Sequence, residues 1–96
     1  MKLLGLALTL AIAAHAALVQ DVRSATAVRN WTLAEKLVAD FQRQNGWNPE
    51  AILAQSWIAR GAQAAAEWDR AQQAAAKTRS LVDAALKQRK LDDEPQ

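Results

Sequence analysis

"RNWTLAEKLVADF", Arg29 to Phe41, is echoed further on by "AEWDRAQQAAAKT", Ala66 to Thr78. Each stretch sets a polar residue, a tryptophan, two more residues and an alanine at the head of a helical pattern. The recurrence spans 37 residues (31 to 68 for the tryptophans, 34 to 71 for the alanines). A period of this length suits a helix–turn–helix unit, each copy too small to bury its apolar face alone. The expectation is therefore an all-α chain of antiparallel helical hairpins.

Working outward, Leu33, Leu37 and Phe41, with Ala34 and Val38, form a stripe at intervals of three and four. It stops at Asn45-Gly46, where glycine can take the left-handed conformation that closes a helix. Asn48 then reads as an N-cap, Pro49 as the first helical residue and Glu50 as a carboxylate suited to the positive helix end. Trp47 and Ile52 hold the two positions of a hydrophobic staple. Upstream, Leu18, Val22, Ala25 and Val28 give a shorter stripe ending near Asn30. Downstream, Ala71, Ala74, Ala75, Thr78, Leu81, Val82, Ala85 and Leu86 give a longer one fading near Leu91.

A rival reading competes at the second turn. No Gly, Asn or Pro marks a break between Gln63 and Asp69, and Trp57, Gly61, Ala64, Trp68, Ala71, Ala75, Thr78, Val82 and Ala85 alternate by four and three. One long helix would use them as a seam. That seam is mostly alanine, thin burial for a coiled coil, so a turn near Glu67 is preferred.

The nearest repeat type is tetratricopeptide-like, with a usual period of about 34 residues. In that type an aromatic closes the turn and a small residue three later admits the neighbouring helix. Trp31/Ala34 and Trp68/Ala71 resemble those positions, and Ile58-Ala59 resembles the large-then-small pair of a first helix. Gln55 and Ala62 depart from it where the signature has aromatics, as do Val38 and Ala75 where it has Phe. Repeat geometry would put Ser56, Arg60 and Gln63 on an inner, partner-facing surface. Trp57 is expected to pack between helices.

The N-terminus has a different character. "MKLLGLALTLAIAAHA" carries one charge at Lys2, an apolar run, and the small-x-small site Ala14-His15-Ala16. These are the parts of a cleavable secretory signal over residues 1–16, which implies export to a periplasm or beyond. A membrane anchor over residues 3–19 is the alternative, near the lower limit of the ~20 residues a spanning helix needs. After it, hairpins are expected over 17–45 and 48–91, with a charged tail at 92–96.

Twelve basic and ten acidic residues leave a formal charge of +2, without long blocks of one sign. The footprint of nucleic-acid binding is missing, and "KQRK" at Lys87–Lys90 is answered at once by "DDE". No cysteine occurs, and the one histidine, His15, falls in the leader. Thiolate chemistry and Ser–His activation of Ser24, Ser56 or Ser80 are thereby excluded from residues 17–96. No calcium loop, P-loop or dinucleotide fingerprint is spelled, so no metal or cofactor is expected.

The run from "RNWTLAEKLVADFQRQNGWNPEAILAQSWIARGAQAAAEWDRAQQAAAKTRSL" to "RKLDDEP" also resembles a more particular family. It is similar to the helical N-terminal region of exported TlpA-like thioredoxin-fold proteins of acidobacterial type. The "AEKLVADFQ" helix, the "NG" cap with its "PE" restart, "SWIARGA" and the closing "LDDEP" carry the resemblance, over about residues 22–95. It implies a thioredoxin domain with a C-x-x-C pair beyond this region, and no residue here corresponds to that pair. The implied role is a non-catalytic interaction module whose partner is a protein or that thioredoxin-like domain. A standalone or membrane-tethered helical protein is the other reading.

Overall fold

The computed structural model describes residues 17–93, and these are all-helical. Four helices follow in order: α1 (17–27), α2 (Trp31–Asn45), α3 (Pro49–Ala64) and α4 (Trp68–Asp93). The chain breaks after Ala64, so the single rod through Trp68 does not form. The leader at 1–16, with its cleavage site and His15, lies outside the described residues, as do residues 94–96. α4 runs to Asp93, two residues past the point where its apolar stripe fades.

The 37-residue recurrence is present in the backbone itself. At the first turn the Arg29 N–H donates to the Thr26 carbonyl at 3.0 Å and the Asn30 N–H to the Ala25 carbonyl at 2.8 Å. At the second, the Ala66 N–H donates to the Gln63 carbonyl at 3.0 Å and the Glu67 N–H to the Ala62 carbonyl at 2.9 Å. This pair of bonds is the Schellman motif, which satisfies carbonyls left over at a helix end. It requires a left-handed residue, and Arg29 and Ala66 both sit at φ 59°. A Cβ in that region costs about 1–2 kcal/mol, so side-chain-bearing residues hold a conformation that glycine usually takes.

The turn between α2 and α3 is built from the residues that announced it. Gly46 adopts φ 74° and its N–H donates to the Gln42 carbonyl at 2.7 Å. Two residues on, the Asn48 side chain accepts from the Ala51 N–H at 2.9 Å, with Pro49 opening α3. At the head of α2 the Asn30 side chain accepts from the Leu33 N–H at 3.2 Å.

One core cluster draws on every helix: Leu18, Val22 and Ala25 from α1, Ala34 and Val38 from α2, Ala54 and Ile58 from α3, and Ala74 from α4. Alanines let the helices approach closely, and Gly61 carries this furthest. A Cβ at Gly61 would lie 2.5 Å from the Thr26 Cβ, so α1 and α3 cross where only hydrogen fits. The largest fully buried side chains are Ile58, Val22 and Val38. At ~1.5–3 kcal/mol for each such side chain, the apolar gain is modest.

Three expected stripes are redrawn by the packing. In α2 the inward row is Trp31, Ala34 and Val38, while Leu33 is exposed and Leu37 and Phe41 pack only at the edge. Val28 falls in the first turn rather than on α1, and is left in solvent. Among the described side chains of α4 only Ala74 is buried, and from Val82 to Lys90 every residue is exposed. α4 has 26 residues against the 16 of α3, so its distal part extends past the helix it packs on.

Candidate functional site

Trp57, expected to pack between helices, is half-buried on α3 and packed against the core. Two guanidinium groups stack on its ring: Arg23 from α1 at 4.3 Å from the centroid and Arg60 from α3 at 4.6 Å. Arg23 and Arg60 are themselves 37 residues apart, so they occupy the same register of successive units. Both are exposed, and neither makes an ion pair among the described residues. Leu53, one turn before Trp57 on α3, is also exposed. An indole face attracts a cation by its quadrupole and holds the planar group flat, with its N–H edge directed outward.

The residues expected at the inner, partner-facing surface separate in the structure. Arg60 belongs to the Trp57 cluster. Ser56 is half-buried, with its hydroxyl donating to the Leu53 carbonyl one turn back at 2.6 Å. That bond ties the hydroxyl to its own helix. Gln63 is exposed and lines a different, shallow groove with Trp68, Ala71, Ala75 and Arg79. Sequence reasoning overlooked Arg23, although its register relation to Arg60 was available in the numbering.

Trp31 is buried where Trp68, its counterpart, is 61% exposed. The difference is what covers them. The Trp31 indole N–H donates to Glu67 Oε2 at 2.8 Å, and the Arg70 guanidinium lies 5.1 Å from the same ring. Arg70 in turn donates to Glu67 Oε1 at 3.3 Å and to Glu35 Oε1 at 3.2 Å. The second turn thus closes over the first, whereas among the described residues no third turn closes over Trp68. Ala34 is fully buried beside Trp31, and Ala71 beside Trp68 only partly so. The expectation that Trp68 would seal its turn as Trp31 does is therefore corrected.

Trp47 packs against the core with the Lys77 ammonium 5.2 Å from its ring. It also helps line a groove of about 320 Å³ between α2 and α4, floored by Val38, Ile58 and Ala74. On the outer face of α2, Asp40 accepts from Lys36 at 2.8 Å and from Arg43. The Lys36 hydrogen bond, with the charges of Lys36 and Arg43, holds the Asp40 carboxyl below its ordinary range. Glu35, also on α2, reaches across to Arg70 on α4.

Among the described residues no group of three or more His, Asp or Glu side chains is placed to hold a metal ion. No described helix is long and apolar enough to cross a membrane. Comparison of the chain with protein-family models, with curated proteins and with solved structures finds no match.

Proposed function

We propose that this chain is an exported, tetratricopeptide-like interaction module, non-catalytic by itself, that presents the inner face of α1 and α3 to a protein partner. The supporting observation is the second Schellman turn, which repeats the first bond for bond at 37 residues, with a left-handed residue and a following tryptophan each time. Repeated turns that stack successive helix pairs leave a surface of side chains in register, and Arg23 and Arg60 are such a pair. The export signal and the family resemblance make the partner a thioredoxin-like domain of the same parent protein, or a protein met after export.

A photoreactive residue placed at Leu53, exposed on α3 one turn from Trp57, with one at the exposed Lys36 of α2 as control, tests the reading. Adducts from the first position and none from the second support it. Equal labelling, or none at either position in exporting cells, overturns it. DNA downstream of Gln96 tests the parentage, since an in-frame C-x-x-C after further helices is the expected result.

A further inference from the structure

We infer that Arg23, Trp57 and Arg60 form a binding site for an extended peptide segment carrying two carboxylates two residues apart. The inference rests on the partner-facing reading of α1 and α3 and adds the chemistry of what docks there.

Two features of the cluster carry it. The first is charge without compensation. Arg70, also stacked on an indole, has two carboxylate partners, while Arg23 and Arg60 share one ring and have none among the described residues. Their ζ carbons are each within 4.3 and 4.6 Å of one centroid, hence no more than about 9 Å apart. Two cations this close repel, and screening extends only over ~8 Å at physiological salt, so an anion between them relieves a standing cost. The second is preorganisation. A guanidinium held over an indole keeps N–H donors that carboxylate oxygens can reach. Side chains that are already held in place lose less freedom on binding.

The spacing selects the ligand. On an extended chain, residues i and i+2 project to the same side about 6.6 Å apart, inside the limit of about 9 Å on the separation of the two guanidinium groups. Successive acidic residues on a helix surface do not share a face until the third or fourth position. Leu53, exposed one turn away along α3, offers an apolar step for a neighbouring side chain of the same segment. The site is too small, and the chain too near neutral, for the many phosphate contacts that hold a nucleic acid.

The test uses the full chain and titration calorimetry with three probes: a capped Gly/Ser peptide centred on Glu-Ala-Glu, its Gln-Ala-Gln counterpart, and inorganic phosphate. The acidic peptide is expected to bind saturably below about 1 mM, with the neutral peptide and phosphate about tenfold weaker or more. R23Q and R60Q are each expected to weaken the acidic peptide about tenfold, while K87Q leaves it unchanged. Circular dichroism of R23Q and R60Q is expected to match the parent, both residues being exposed. Equal affinity for the two peptides, phosphate binding as tight as the acidic peptide, unaltered affinity in both arginine variants, or no saturable binding would each overturn the proposal. Crosslinking at Leu53 does not depend on the acidity of the partner, so the two readings fail separately.

Discussion

The indole nitrogen of Trp31 and the carboxylate of Glu67 meet at 2.8 Å across 36 residues, joining the two turns of the chain. The bond runs from the first residue of α2 to the residue just before α4, so it forms only when both turns stand in their stacked positions. Arg70 makes the contact a small network, stacked on the indole and bonded to the same carboxylate.

Trp31→Phe keeps much of the ring and removes the donor. With a charged acceptor, the expected loss is about 1.5–3 kcal/mol, near the lower end because Glu67 is partly exposed and keeps Arg70. Glu67→Gln is expected to cost less, since an amide oxygen still accepts. A double-mutant cycle in urea checks whether the two losses overlap, as they must if one bond accounts for both.

Gly61→Ala is expected to destabilise by about 1–3 kcal/mol, against the ~1 kcal/mol gain that alanine brings to an open helix. The atom in the way is the Thr26 Cβ, so Thr26→Ser leaves the clash in place and should not rescue. Thr26→Gly in the G61A background should recover part of the loss, measured as the urea midpoint. An unchanged midpoint in G61A would mean that α1 and α3 do not cross there.

Ala66→Gly should stabilise the chain by roughly 0.5–1 kcal/mol. The left-handed penalty of about 1–2 kcal/mol disappears, offset in part by the greater freedom of glycine in the unfolded chain. Arg29→Gly should act in the same direction at the first turn. The melting temperature of each variant is the measurement, and a fall in both would remove the left-handed turns from the account.

Lowering the pH should weaken the outer face of α2. The folded chain keeps Asp40 ionised at a lower pH than the unfolded chain does, because Lys36, then Arg43, favour the charged form. Its contribution is present above the ordinary carboxylate range and is lost as pH falls through the lowered value. Asp40→Asn should flatten that part of the stability curve and change little near neutrality, where an exposed pair counts for little.

Much of this architecture is legible before any coordinates. Pro49 has its φ fixed in the helical range and Gly46 tolerates a positive φ that a side chain would oppose, so the α2–α3 boundary follows from residue chemistry alone. The tryptophan recurrence locates both other turns because Trp31 and Trp68 each open the helix that follows one. The residues that hold the left-handed positions are not legible. Arg29 and Ala66 carry no local preference for positive φ and are held there by the hydrogen bonds around them. The α2 stripe misleads because Leu33 and Leu37 share the apolar character of the inward row, and only the position of α3 decides which row is covered. At the candidate site Arg60 is legible from repeat geometry. Arg23 needs the register of both units, and the Gln63 and Ser56 side chains depend on contacts that no spacing specifies.

The exposed end of α4 sets a clock on the molecule. From Val82 to Lys90 every residue is open to solvent, and a helical segment shorter than about 12–15 residues opens readily in water when little covers it. Amide hydrogens there should trade with deuterium soonest, with protection rising steeply toward Ala74. Trypsin should accordingly clip at Lys87, Arg89 and Lys90 long before it reaches the interior, and the rate of that trimming would report on whatever comes to rest along the helix.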